Sequence, residues 1–171
     1  NRKRPYRPYS VINISGMSYG SLSAKAIESL NKGAKIAGCY HNTGEGSLSP
    51  YHQFGADVIL NIGTAYFGVR ELDGTFSMEK LKQKVEDNPQ LRAIELKLSQ
   101  GAKPGKGGML PASKINQEIA EIRNIPMGKD AISPAFHAQF TNVTEMVDFI
   151  EAMANETGIP VGIKSAIGKL E

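Results

Sequence analysis

The sequence predicts an α/β protein, a (β/α) barrel of the TIM type that is incomplete, with about six of the eight strand–helix units a closed barrel needs. Three observations predict it. Short apolar runs such as Val58–Ile62 and Ala93–Leu98 alternate with segments of helical periodicity, the pattern of a parallel sheet covered by helices. Polar residues gather just after those runs, at Ser18, Asn42, Thr43, Glu45, Gln100, Lys103 and His137. In a barrel the carboxyl ends of all strands meet on one face, where active sites form. The chain has 171 residues, short of the roughly 250 typical of a closed barrel. Residues 1–10 read as a basic lead-in and residues 11–171 as the N-terminal portion of one barrel domain.

In chain order, Val11–Ser15 is an apolar strand running into Gly16-Met17-Ser18-Tyr19-Gly20-Ser21, a strand-to-helix turn. Ser21 or Ser23 suits the N-cap of a helix over Ala24–Ile36, with Ala26, Ile27, Leu30 and Ala34 on one face and Gly38 as its stop. Cys39 to Gly46 reads as a strand followed by a glycine-punctuated loop, and Val58–Ile62 as the next strand. Ser77 or Thr75 caps a helix to Asp87, which Asn88-Pro89 ends. The Ala93–Leu98 strand, a helix over Ser113–Arg123, and a short strand at Ala131–Pro134 follow. A helix capped by Asn142 or Thr144 then runs to Gly158, and Val161–Lys164 is the last strand.

Composition narrows the function. A net charge of +3 is too small to argue for nucleic acid, and 40% hydrophobic content without a long apolar run gives no membrane span. Arg2, Lys3, Arg4 and Arg7 make the lead-in basic; a solvated arm is favoured over phosphate contact. One cysteine, Cys39, excludes an internal disulfide and a multi-cysteine cluster, and suits a reducing compartment such as the cytoplasm. The three histidines have no metal-ligand spacing. His41 reads as structural or solvent-facing, His52 as surface, Cys39 as a packed thiol; for His137 a structural role competes with an active-site one.

The stretch from Ala93 to Pro111 is the most informative. A strand carrying Lys97 passes into a loop with four glycines from Gly101 to Gly108, flanked by Gln100, Lys103 and Lys106. Backbone that approaches closely, next to fixed ammonium groups, suits an anionic or electron-rich ligand.

Together with Gly16-Met17-Ser18-x-Gly20-x-Leu22-Ser23, Asn42-Thr43-Gly44-Glu45-Gly46, Ile132-Ser133-Pro134 and Val161-x-Ile163-Lys164, that stretch resembles the FMN-binding synthase domain of glutamate synthases. The resemblance implies an FMN-containing barrel that reduces 2-iminoglutarate, formed from 2-oxoglutarate and ammonia, to glutamate. It implies that Met17, Ser18, Gly20, Asn42 and Thr43 surround the flavin ring, with Lys97, Gln100 and Lys164 at its polar edge. Glu45, Lys103 and Arg123 would surround a 2-oxoglutarate-like dicarboxylate, Glu45 and Lys103 acting in catalysis. An iron–sulfur cluster, a glutaminase domain and an electron donor such as NADPH or ferredoxin would lie outside this chain. Lys106, Met109 and Ala112 depart from the family's usual glutamate, glutamine and glycine, so a synthase acting on another glutamate-linked substrate, of N-methylglutamate type, is the alternative; a non-catalytic binding module is the third. Unpaired edges at the first and last strands predict self-association of this piece, and a phosphate anchor beyond Glu171 predicts weak FMN binding by it.

Overall fold

The computed structural model describes all residues except 1, 101, 103–105 and 169–171. Helix α1 spans Ala24–Ala37; the Ser23 side chain accepts from Ala26 N–H, and Gly38, at φ 66°, closes it in the left-handed conformation. Strand β1 is His41–Asn42, β2 Val58–Ile62 and β3 Leu91–Lys97, with helix α2 at Met78–Asp87 between the last two. A long excursion carries strand β4 (Met109–Leu110), helix α3 (Gln117–Arg123) and strand β5 (Ala131–Ile132). Helix α4, Val143–Thr157, then leads to strand β6, Val161–Lys164. The order β1-β2-β3-β6 is parallel throughout. This is an α/β arrangement with neighbouring strands in chain order, as an arc of a barrel requires.

Two strands differ from expectation. Val11–Ser15 contributes only a parallel bridge from Ile14 to His41, leaving Val11 100% and Ile12 80% exposed. Local bonds compete for this backbone: Ser10 Oγ accepts from Ile12 N–H, and the Asn13 amide donates to Ser10 C=O while accepting from Tyr40 N–H. Ala131–Pro134 is not a strand of the parallel sheet. Its two strand residues pair antiparallel with β4, Met109 opposite Ile132 and Leu110 opposite Ala131, forming a flap of their own. The described sheet is therefore four strands plus a bridge. The helix expected over Ser113–Arg123 is split by Asn116, which caps α3 by accepting from Ile119 N–H and leaves Ala112–Lys114 as a single tight turn.

The main core lies between the sheet and its covering helices, where Leu60, Ile62, Ile94 and Leu96 meet Leu81, Val85 and Met153. Each such side chain contributes about 1.5–3 kcal/mol by leaving water. Strand β3 alternates more cleanly than the sequence suggests: Ile94 and Leu96 are buried against the helices, while Glu95 and Lys97 take the other face. A second cluster, with Tyr19, Ile27, Phe67, Leu110 and Ile119, holds the excursion onto α1. The lead-in is docked at two points, while Lys3, Arg4, Arg7 and Tyr9 stay exposed as expected of a solvated arm. Arg4 donates its backbone N–H to Gly158 C=O and its guanidinium to Thr157 C=O, at the negative end of α4, and Arg2 pairs with Glu151 at 2.6 Å. Among the described residues no helix is long and apolar enough to cross a membrane.

Candidate functional site

At the carboxyl ends of the strands, between the sheet and the β4–β5 flap, lies a cleft of about 360 Å³. The inner face of the sheet supplies its floor. In register across β2, β3 and β6 stand Asn61, Glu95 and Gly162, and one step further Lys97 and Lys164. The Glu95 carboxylate accepts from Asn42 Nδ2 at 2.9 Å and Asn61 Nδ2 at 2.6 Å, which locks this polar layer. Asn61 Oδ1 remains buried without a donor.

Lys97 is a hub. Its ammonium donates to Glu45 Oε2 at 3.0 Å and to Gln100 Oε1 at 2.7 Å. Glu45 Oε1 in turn accepts a short bond from the Ser133 hydroxyl. The carboxylate reaches this position because residue 63 is glycine; a Cβ there would stand 2.5 Å from Glu45 Oε1. Lys164, opposite Lys97 in register, has no carboxylate partner among the described residues.

Arg123 forms the far wall and is 5% exposed. Its Nη2–H donates to Tyr19 C=O at 3.0 Å, its guanidinium carbon sits 5.2 Å from the Phe67 ring centre, and its Nε has no acceptor. Burial pushes its pKa below the ordinary value, and the nearby Glu45 charge only partly opposes this. No carboxylate of the described residues pairs with it. The lining thus carries Arg123, Lys97 and Lys164 against one carboxylate, Glu45, an arrangement that favours an anion. Between the charged ends, Met17, Leu22, Phe67, Met109 and Leu110 give apolar surface.

The structure brings Met17, Ser18, Glu45, Lys97, Gln100, Arg123 and Lys164 to this one cleft. Three other residues expected at the ring do not line it. Thr43 is fully buried, with its hydroxyl donating to Gly44 C=O and accepting from Asn61 N–H. Asn42 is turned into the floor by Glu95 and by Gly44 N–H, which its Oδ1 accepts. Gly20 packs against Ile119, Arg123 and Leu110. All three brace the cleft from behind. Lys103 lies outside the described residues. Sequence reasoning passed over Asn61, Phe67 and Ser133 as site residues; Ser133 stood in a quoted motif, whereas Asn61 sat unmarked inside an apolar strand.

The histidines are all buried, which corrects the surface reading of His52. His137 donates to Lys97 C=O at 2.9 Å and accepts from the Tyr66 hydroxyl at 3.0 Å, so it supports Lys97 from behind without lining the cleft. Burial, and secondarily the neighbouring His52, push the His41 pKa down to about 4. Cys39 is half-buried rather than packed in the core.

The family profile described as the conserved region in glutamate synthase matches residues 4–170. The chain belongs to the glutamate synthase family. It is 44% identical over 171 residues to the glutamate synthase large subunit-like protein YerD of Bacillus subtilis, covering 99% of this chain and 32% of that protein. To the archaeal-type glutamate synthase [NADPH] of Thermotoga sp. it is 37% identical over 158 residues, 91% of this chain and 28% of that protein. The archaeal glutamate synthase [NADPH] of Methanocaldococcus jannaschii is 37% identical over 147 residues, 85% of this chain and 26% of that protein. The chain thus spans no more than 32% of the length of these relatives. Most of the cleft's lining comes from the segments whose sequence resembles glutamate synthases, while Asn61, Phe67, Arg123 and Ala131 come from elsewhere.

Proposed function

We propose that this chain carries the FMN-facing and substrate-facing part of a glutamate synthase-type oxidoreductase, which reduces 2-iminoglutarate to glutamate. One observation carries this reading: Arg123 and Lys164 flank the same cleft as cations without carboxylate partners among the described residues. Burying an unpaired cation costs several kcal/mol, so a ligand that supplies anionic groups offsets a standing penalty.

The residues present fit FMN. Lys97, Lys164 and Gln100 offer a cationic, hydrogen-bonding edge, Met17 and Leu22 an apolar plate, and the orphaned Asn61 Oδ1 an acceptor for an imide N–H. Reduced FMN, when bound, supplies the hydride. Arg123 clamps a substrate carboxylate through its planar fork. The Ser133 hydroxyl would pass its proton to the imine nitrogen and regain one through Glu45 from the Lys97 ammonium, which bonds the other carboxylate oxygen. The family resemblance in sequence adds Lys103 as a second cation for the dicarboxylate. Electrons come from NADPH, the donor for which the archaeal-type relatives are named, by a partner or domain outside this chain. Ammonia from a glutaminase domain or partner, and any iron–sulfur cluster, lie outside it too, since a single cysteine cannot ligate a cluster.

The second reading, a synthase for an N-substituted glutamate, draws on Met109, which puts a 63% exposed thioether at the cleft where an amide would hydrogen-bond. The full-length protein tests both. Bound flavin absorbance, and oxidation of the reduced flavin by 2-oxoglutarate with ammonia, are expected. Oxidation only with methylamine would favour the second reading, and the absence of flavin would overturn both.

A further inference from the structure

One buried polar group next to the cleft has no part in the chemistry above. His52, 0% exposed, ends the tight turn Pro50–His52 between β1 and β2. Its Nδ1 lies 3.2 Å from Ser49 N and 2.8 Å from Ser49 Oγ, and its Nε2 lies 2.9 Å from Met17 O. A backbone N–H can only donate, so Nδ1 is the acceptor and the proton sits on Nε2, donated to the Met17 carbonyl.

That bond fixes the orientation of a peptide. In a planar trans peptide the C=O and the next N–H point in opposite directions. With Met17 C=O drawn back toward His52, Ser18 N–H points away from it, and both Met17 and Ser18 line the cleft. Among the described residues no acceptor takes Ser18 N–H. Residue 44 must be glycine beside it, since a Cβ there would stand 2.7 Å from Ser18 N and obstruct that side of the peptide. On its other side Met17 N–H donates to Asn42 C=O at 3.2 Å, so the segment is held at both ends of residue 17.

We infer that His52 is a positioning residue that aims the Ser18 N–H into the cleft, as a donor to an unprotonated ring nitrogen or ring carbonyl of the bound flavin. The inference rests on the flavin reading above and adds a residue and a contact to it. His52 does not touch the ligand; it acts through one peptide plane.

Two substitutions separate this role from simple packing. His52→Gln places an amide NH₂ near the Nε2 position, keeping the bond to Met17 C=O. His52→Asn places an amide oxygen near the Nδ1 position, keeping the bond to Ser49 and losing Met17. The probe is FMN, titrated into the apo form of the full-length protein, with the visible flavin band recorded at saturation. His52→Gln should bind FMN within about threefold of wild type, and His52→Asn about tenfold more weakly, the loss of one well-aimed hydrogen bond. Only the Asn variant should shift the flavin band. A role confined to the Ser49 turn predicts the opposite order. That opposite order, equal affinities, or failure of both variants to fold would each overturn the inference while wild type still binds FMN. A wild-type protein that takes up no FMN would overturn the flavin reading, and this contact with it.

Discussion

Replacing Arg123 with methionine should move stability and binding in opposite directions. In the ligand-free protein the change removes one charge-assisted hydrogen bond, Nη2–H to Tyr19 C=O at 3.0 Å, worth about 2 kcal/mol, and a cation–ring contact with Phe67 at 5.2 Å, worth about 1 kcal/mol. Against these stands the desolvation of a guanidinium that is 5% exposed and has no carboxylate partner among the described residues, a penalty of several kcal/mol. The desolvation effect is larger, so the ligand-free variant should be as stable as wild type or about 1–2 kcal/mol more stable. Dicarboxylate binding loses a charged, bidentate contact of about 3 kcal/mol, roughly a hundredfold in affinity. Urea unfolding of the full-length protein with and without 2-oxoglutarate reads both quantities, because a ligand that binds only the folded state raises its stability. Wild type should gain stability from 2-oxoglutarate and the variant should not. A variant that is clearly less stable without ligand, yet gains as much as wild type with it, would make Arg123 a structural residue and refute the reasoning.

Lys164→Met in the flavin-loaded protein should lower the flavin reduction potential by about 30 mV, equivalent to about 1.4 kcal/mol for two electrons; an unchanged potential at full occupancy would remove Lys164 from the ring's edge. Gly63→Ala should leave the fold intact, since the atoms nearest the new Cβ, at 2.5 to 2.6 Å, all belong to the Glu45 side chain. The displaced carboxylate loses Lys97 and Ser133, and turnover should fall about a hundredfold with little change in substrate binding; unaltered turnover would exclude Glu45 from the proton path. His41 gives a pH prediction. Its folded pKa of about 4 lies below the ordinary 6.5, so the unfolded chain binds the proton more readily and stability falls as pH drops through that window. Between about pH 7 and about pH 5 the loss should be on the order of 2 kcal/mol, full stability returning above the ordinary value. Denaturant titrations of wild type and His41→Gln at the two pH values check it; equal losses in both would assign the effect elsewhere.

What the sequence disclosed was local, because the signals it carries are local. Caps at Ser23, Asn142, Gly38 and Gly158 act within a few residues of their own position, and all stand where the structure has them. Failures came where a distant partner decides. Val11–Ser15 has the composition of a strand, but its side chains bond the neighbouring backbone and only Ile14 pairs. Ile132 follows an apolar residue in a short run and reads as sheet; its partner is Met109, on a flap that no periodicity announces. His52 sits among loop-forming residues and reads as exposed, yet the turn folds it under Met17.

The candidate site divides along the same line. Lys97 and Lys164 are 67 positions apart in sequence, and nothing in their spacing says that β3 and β6 place them side by side. Like charges in register on neighbouring strands repel. The structure relieves that repulsion on one side only, by bringing Glu45 from the loop after β1 to Lys97 at 3.0 Å. Gly63 is what makes the approach possible. Lys164 is left as the cation that faces the cleft without a carboxylate, and Arg123, from the excursion, is its counterpart on the opposite wall. Read singly, each of these residues has an ordinary explanation as a surface lysine, a helix-end arginine or a loop glutamate. Parallel register brings the two lysines together, the loop after β1 and the excursion add Glu45 and Arg123, and so four unremarkable side chains form an anion-seeking cleft.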